Sequence, residues 1–306
     1  MQIILANPRG FCAGVERAIK CVERALEKFG APVYVLNNIV HNQHVVNELS
    51  EKGAVFVKHM HEVPEGAHLL FSAHGVSPDR WDHAKNLKLE VIDATCPLVE
   101  KVHHEARRFA KREYTIILVG EEGHDETVGT MGQAPEHIRL VTTVEDVAKL
   151  QVNDEEQLAY ITQTTLSVED CSIIIDALKE RFPAIQGPPR DDICYATTNR
   201  QVAVNALTHE VDLVLVVGDK ESANSTRLAD IARTKGKPAY LILDASMIQE
   251  EWLEGVERVL LTSGASVDEK HVQGVIEYLE QREPSTVTER SIVEENVFFR
   301  LPKDVA

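Results

Sequence analysis

Three cysteines occupy turns of the same kind at roughly equal intervals along the chain. Cys12, Cys96 and Cys194 each lie in a turn or at the end of a strand-like run, just before a helix-like run. This placement predicts three similar units that each bring one thiol to a common point. Three thiolates are one ligand short of a closed tetrahedral metal site or of a fully ligated cluster. We therefore expect an open fourth position where chemistry can take place.

The residues alone leave three kinds of thiol site open. Zinc with three Cys and one His is one, although the paired, closely spaced ligands of structural zinc sites are absent. An iron–sulfur cluster with one iron not bound by protein is favoured by ligands so far apart in sequence. A Cys–His nucleophile pair would leave two turn cysteines unexplained. The other two cysteines, Cys21 and Cys171, lie within helix-like runs and are predicted to be packing residues.

Polar loops follow many of the strand-like runs. Because parallel sheets bind ligands beyond the carboxyl ends of their strands, these loops are expected to form a binding edge. Their imidazoles, hydroxyls and helix N-termini suit phosphate groups. Neither a Walker lysine motif nor a Rossmann glycine motif is present, which argues against classical nucleotide binding. The loops are His41 and its neighbours, 72–75, 120–127, 162–167, 218–226 and 262–266.

Strand-like and helix-like runs alternate along the chain, which predicts an α/β fold with mostly parallel sheets. A regular apolar stripe predicts a helix from Gly14 to Phe29, and another is expected from Asn199 to Glu210. The cysteine turns suggest α/β domains at 13–95, 96–193 and 194–282. We expect the strand within 1–12 to complete the last domain and 283–306 to form a C-terminal tail.

Composition restricts the class of protein further. The net charge of −17 argues against nucleic-acid binding, which requires a basic surface. No apolar run approaches the ~20 residues of a membrane span, and the N-terminus does not resemble a signal peptide. Five cysteines in 306 residues do not form a disulfide scaffold. We therefore expect a cytoplasmic protein whose thiols stay reduced.

Seven motifs, distributed over most of the chain, resemble one known family. The chain is similar to the 4-hydroxy-3-methylbut-2-enyl diphosphate reductases (IspH/LytB), which catalyse the last step of the non-mevalonate isoprenoid route. The motifs are ANPRGFCAG at 6–14, VHN at 40–42, SAHGV at 72–76, DATCPLV at 93–99, GHDE at 123–126, QTTLS at 163–167 and DICYATTNR at 192–200.

This resemblance implies three similar α/β domains, related by pseudo-threefold symmetry, around one 4Fe–4S cluster. It implies that Cys12, Cys96 and Cys194 bind the cluster and that the open fourth iron meets the hydroxyl of the substrate. Glu126 would supply or relay protons, with Thr164 close to the reacting end. The implied diphosphate-binding residues are His41, His74, His124, Thr164, Ser222, Ala223, Asn224 and Ser266. Where the family usually has Ser-Ser-Asn, this chain has Ala223 in the middle, which leaves only a backbone N–H to contribute.

The implied reaction is a two-electron, two-proton reductive loss of water. It converts (E)-4-hydroxy-3-methylbut-2-enyl diphosphate to isopentenyl and dimethylallyl diphosphate. Since no flavin or nicotinamide motif is present, ferredoxin or flavodoxin is the implied electron donor. The alternative is a non-redox protein that binds a diphosphate and uses a three-Cys metal site structurally.

Overall fold

The computed structural model describes every residue from Met1 to Ala306. The strands are β1 Gln2–Asn7, β2 Val33–Leu36, β3 Ala54–Val57, β4 His68–Phe71, β5 Glu90–Asp93, β6 Thr115–Val119, β7 Ile138–Val141, β8 Leu158–Thr162, β9 Leu213–Val217, β10 Ala239–Ile242, β11 Arg258–Ser263 and β12 Thr286–Ser291. The α-helices are α1 Ala13–Phe29, α2 Gln43–Glu51, α3 Pro78–Asn86, α4 Pro97–Ala110, α5 Asp125–Met131, α6 Val144–Lys149, α7 Val168–Arg181, α8 Tyr195–Leu207, α9 Ala223–Thr234 and α10 Glu269–Arg282.

The strands form three separate sheets in which every pairing is parallel. The strand orders are β10-β9-β11-β1-β12, β3-β2-β4-β5 and β7-β6-β8. The predicted α/β class with mostly parallel sheets is confirmed. None of the helices is both long enough and apolar enough to cross a membrane.

The chain divides into two compact units. The first unit comprises Met1–Ala13, His41–Gln43 and Tyr195–Phe298 and contains the five-stranded sheet. In that sheet, the N-terminal strand β1 lies between β11 and β12. The chain's first strand therefore belongs to the same sheet as the strands of its last third.

The central strands of the five-stranded sheet are buried on both faces: successive side chains of a strand point to opposite sides, and helices cover each side. On one side, Ile3 and Leu5 pack in a cluster with residues of α10. On the other side, Ile4 and Ala6 pack in a cluster with residues of α8 and α9. This double packing explains why central strands such as β1 and β9 are nearly continuous apolar runs.

The second unit comprises Gly14–Val40, His44–Cys194 and Phe299–Ala306 and contains the other two sheets. Strand β6 is buried in the same way, with Ile116 and Leu118 packed with α4 and Ile117 and Val119 packed with α7. Both sheets end in loops that open helices. Three of the polar loops singled out above, 72–75, 120–127 and 162–167, lie here.

Several elements differ from the sequence predictions. The helix expected from Asn199 begins at Tyr195, directly after Cys194, and ends at Leu207. Strands β3 and β7 have four residues each and were not predicted. The tail contributes β12, an edge strand whose six side chains are all exposed, so its sequence shows no apolar alternation.

Candidate active site

A buried carboxylate lies at the start of helix α5. Glu126 is 2% exposed and accepts two hydrogen bonds from one residue of the loop after β8. The backbone N–H of Thr164 donates to Glu126 Oε1 at 2.6 Å, and Thr164 Oγ1 donates to Oε2 at 2.8 Å. The fold therefore joins the two residues that the sequence prediction named as catalytic.

The environment of Glu126 favours its protonated form. Burial raises the pKa of the Glu126 carboxyl to about 7, while the hydrogen bonds from Thr164 act in the opposite direction. A carboxyl group with a pKa near neutrality can hold a proton and release it to a bound molecule. The pair is therefore suited to general acid chemistry.

Two histidines lie beside this carboxyl group within the second unit. His124 is the N-cap residue of α5, and its Nδ1 accepts a hydrogen bond from the Glu126 backbone N–H at 3.1 Å. In this contact Nδ1 of His124 is the acceptor, so Nε2 is the ring nitrogen that can donate. The His74 ring lies edge-on to it, with 5.8 Å between ring centroids. His74 Nδ1 lies 3.2 Å from the Ser72 hydroxyl and 4.0 Å from an Asp125 carboxylate oxygen.

Backbone hydrogen bonds attach two of the predicted thiol ligands to these loops. The Cys96 N–H donates to the carbonyl of Ala73, the residue before His74, at 3.0 Å. The Cys194 N–H donates to the Thr164 carbonyl, also at 3.0 Å. Within the second unit, the structure therefore brings together six predicted site residues from five separate stretches of sequence. They are His74, Cys96, His124, Glu126, Thr164 and Cys194.

The other predicted residues form a second group, within the first unit. The Cys12 N–H donates to the Ala265 carbonyl at 3.0 Å. The neighbouring Ser266 hydroxyl donates to the His41 carbonyl at 3.1 Å. The Asn42 side-chain amide donates to the Ser266 carbonyl at 2.8 Å. Three distant motifs thus meet after strands β1 and β11, which are neighbours in the sheet.

Helix α9 begins at the same sheet edge, since β9 and β11 are adjacent and the Gly264 N–H bonds to the Val217 carbonyl. Ser222 is the N-cap residue of α9, and its oxygen accepts hydrogen bonds from both the N–H and the hydroxyl of Ser225. Ala223 is the first helical residue. Both polar atoms of the Asn224 side chain are buried without a hydrogen-bond partner. Because buried amides are nearly always paired in proteins, Asn224 is a candidate ligand-binding residue.

Two supporting residues were not predicted from the sequence. Arg200 is fully buried, and its guanidinium donates to the Gly10 carbonyl at 2.8 Å in the turn that precedes Cys12. Asp192 is 4% exposed and bonds the end of β8. One sequence feature could have indicated that Arg200 is buried. It lies four residues from both Ala196 and Val204, so the three residues share one face of helix α8, and that face is otherwise apolar.

The five cysteines fall into two groups that differ in burial. Cys21 and Cys171 are buried in the core, as predicted, and burial raises the pKa of their thiols to about 11 and about 12. Such thiols form the thiolates that metals bind less readily than exposed thiols do. Cys12, Cys96 and Cys194 are partly exposed and lie at loop–helix junctions.

The fold and the site define a class: an α/β protein in which a buried carboxyl group of raised pKa is hydrogen-bonded to Thr164, whose carbonyl binds the Cys194 N–H, with imidazoles nearby, as in an enzyme. The comparisons with known proteins give the family. A family model described as "LytB protein" matches residues 3–280. The chain belongs to the LytB family.

Curated relatives and solved structures agree with that assignment. The chain is 54% identical to a 4-hydroxy-3-methylbut-2-enyl diphosphate reductase from Pectobacterium carotovorum, covering 100% of this chain and 98% of the relative. It is 53% identical to a reductase of the same name from Streptomyces avermitilis, over 99% and 90%. The structure of E-1-hydroxy-2-methyl-but-2-enyl-4-diphosphate reductase from Plasmodium falciparum matches with a TM-score of 0.96 and 41% identity, over 99% and 96%.

Proposed function

We propose that this protein is an iron–sulfur reductase that converts (E)-4-hydroxy-3-methylbut-2-enyl diphosphate to isopentenyl and dimethylallyl diphosphate. This is the last step of the non-mevalonate isoprenoid pathway. The observation that carries the proposal is the buried Glu126–Thr164 pair, attached to Cys194 through the Thr164 carbonyl. It is supported by the relatives, which carry the name of this reductase over nearly the whole chain.

Cys12, Cys96 and Cys194 are proposed to bind one 4Fe–4S cluster and to leave its fourth iron open. Their partial exposure and their positions before helices suit this role. Such a cluster supplies single electrons and an iron that accepts an oxygen ligand. Cys12 belongs to the first unit, and Cys96 and Cys194 belong to the second.

The diphosphate is proposed to be bound by His41, His74, His124, Thr164, Ser222, Ala223, Asn224 and Ser266. The amide of Asn224 has donor capacity that nothing else uses. The Ser222 oxygen accepts two hydrogen bonds, so its own proton remains for a ligand. Ala223 contributes only its backbone N–H, at the positive end of helix α9.

Glu126 is proposed to deliver a proton to the departing hydroxyl, which leaves as water. A pKa of about 7 keeps a large share of this carboxyl protonated at neutral pH. The Thr164 hydroxyl, hydrogen-bonded to the carboxylate, holds it in one orientation and can pass a proton along the same bond. Two electrons and a second proton then complete the reduction at carbon.

The electrons are proposed to come from ferredoxin or flavodoxin in the cytoplasm, since the chain has no motif for a flavin or a nicotinamide. Neither nucleic acid nor membrane is part of the proposal, given the net charge of −17. Of the basic residues on α4, Arg107 pairs with Glu100 and Arg108 with Glu105, which reduces the positive charge available to an acidic donor.

An anaerobic turnover assay tests the proposal. The reconstituted protein is mixed with the allylic alcohol diphosphate and a reduced ferredoxin, and both oxidised carrier and products are measured. We expect two electrons consumed per product, with isopentenyl and dimethylallyl diphosphate both formed. Binding of the diphosphate without electron consumption would instead support the non-redox alternative.

A further inference from the structure

Lys101 lies one turn into helix α4, whose N-cap residue is Cys96. Its ammonium group donates to three oxygens of one segment: the backbone carbonyls of Arg190 and Asp191, each at 2.7 Å, and Asp192 Oδ1 at 3.0 Å. An ammonium group has three protons to donate. The full donor capacity of this lysine is therefore directed at a single loop.

The carboxylate in this contact extends the link to the sheet. The Asp192 side chain is completely buried, and its second oxygen, Oδ2, accepts the Thr162 N–H at 3.0 Å. Thr162 is the last residue of β8. Two residues further along both segments, the Cys194 N–H bonds to the Thr164 carbonyl. The segment 190–194 is thus held by the helix on one side and by the strand end on the other.

This arrangement places one lysine between two predicted thiol ligands. Cys96 opens the same helix that carries Lys101, so the rigid first turn of α4 connects them. Lys101 bonds Arg190, Asp191 and Asp192, and Cys194 follows this segment after one intervening residue, Ile193. Any shift of that loop away from α4 would therefore change the separation of the two cysteines.

We propose that Lys101 is a positioning residue that fixes Cys194 relative to Cys96 for cluster binding. The inference rests on the proposed function, which assigns both cysteines to the cluster. An ordinary surface ion pair has a different form, such as Lys88 with the exposed Glu65, and contributes little. Lys101 instead bonds two carbonyls and a fully buried carboxylate, partners that fix a loop in place.

Amide hydrogen exchange of the cluster-free protein tests directly whether Lys101 holds the segment 190–194 in place. The variants are Lys101→Met and the double variant Lys101→Met/Asp192→Asn. Without Lys101 the buried Asp192 carboxylate would be unpaired, and the Asn replacement removes that charge so that the fold is kept. Lys235→Met is the matched control, because Lys235 also bonds a backbone carbonyl, that of Asn205 in the first unit. We expect exchange in the peptide containing Cys194 to rise about tenfold in both Lys101 variants, and to stay at the wild-type rate in the control.

Iron release tests the consequence for the cluster. Anaerobically reconstituted protein is mixed with a ferrous chelator, and the loss of cluster absorbance is followed with time. Residues that orient metal ligands typically contribute about 10–100-fold to metal retention. We therefore expect release at least about tenfold faster in both Lys101 variants than in wild type or Lys235→Met.

Three results would overturn the inference. The first is wild-type exchange at Cys194 in Lys101→Met. The second is a return to wild-type exchange and iron release in the double variant, which would mean that Lys101 only neutralises a buried charge. The third is faster exchange throughout the second unit, which would indicate general destabilisation. A wild-type protein that contains no iron and sulfide would contradict the proposed function instead. The exchange measurement would still decide whether Lys101 holds the segment 190–194.

Discussion

Glu126 is subject to two opposing effects within a few ångströms. Burial removes water from its carboxyl group and raises its pKa, whereas two donors from Thr164 stabilise the charged form. The outcome, a pKa of about 7, leaves both protonation states populated near neutral pH. A general acid needs this balance, because it must hold a proton in one step and lose it in the next.

Replacing Glu126 by Gln tests that role. The amide oxygen still accepts the Thr164 N–H, but the side chain carries no acidic proton, so we expect turnover to fall about 100-fold or more. Cluster content should be unchanged. Glu122→Gln, an exposed neighbour, serves as the control and should turn over like wild type. Near-normal turnover in Glu126→Gln would remove this residue from the mechanism.

The same carboxyl group should make stability depend on pH. Its pKa is higher in the folded state than in the unfolded state, so the folded protein binds more protons between about pH 4.5 and 7. Stability from this group is complete at low pH and decreases as pH rises through that window, by up to about 3 kcal/mol. Denaturant unfolding of cluster-free Glu126→Gln should lack this decrease. Parallel pH profiles for variant and wild type would contradict the assignment.

At the scale of elements, the sites are built from loops at the carboxyl ends of parallel strands. Where such a loop precedes a helix, the free N–H groups of the first helical turn and the side chain of the cap residue point away from the helix in the same direction. Helix α9 presents Ser222, Ala223 and Asn224 in this way. The turn after β4 presents His74 and requires a glycine next to it, because Gly75 has a φ of +75°.

Asn224→Ala tests the ligand role of α9. Loss of a hydrogen bond to a charged group should raise KM for the diphosphate substrate about tenfold or more. The unfolding free energy should not fall, because the lost amide has no partner in the protein and alanine is a better helix former. Asn224→Asp, which places a negative charge at the same position, should raise KM further. Destabilisation with an unchanged KM would identify Asn224 as purely structural.

Gly75→Ala tests the turn that presents His74. A methyl group there would lie 2.6 Å from His103 Cε1, in addition to the cost of a positive φ. We expect a loss of unfolding free energy of about 2–5 kcal/mol. Gly66 has the same φ of +75° but open space around it, so Gly66→Ala should cost only the backbone term of about 1–2 kcal/mol. Equal losses for the two variants would mean that His103 does not restrict the turn.

The elements also show where sequence prediction succeeded and where it failed. Strong apolar periodicity placed α1 within one residue of its observed start. Helix α8 was predicted four residues late, because Thr197, Thr198 and Asn199 resemble a cap. Contacts between residues that are distant in sequence could not be predicted, because no local sequence pattern indicates them. The bond between Glu126 and Thr164, and the burial of Arg200 and Asp192, depend on how distant segments pack.

At the scale of the whole molecule, the proposed ligands are distributed over the entire sequence. Cys12 comes from the first unit, and Cys96 and Cys194 come from the second. The sequence predicts all three ligands from their equivalent turns, because a thiol before a helix is a local pattern. It could not identify the residues that hold them, such as Lys101, since those act through tertiary contacts.

The central claim is tested most directly by iron and sulfide analysis of wild type and of five variants, each with one cysteine replaced by alanine. Anaerobically reconstituted wild type should contain about four iron and four sulfide ions per chain. Cys12→Ala, Cys96→Ala and Cys194→Ala should each lose most of both, while Cys21→Ala and Cys171→Ala should retain them. Zinc in place of iron, or equal losses across all five variants, would contradict the account.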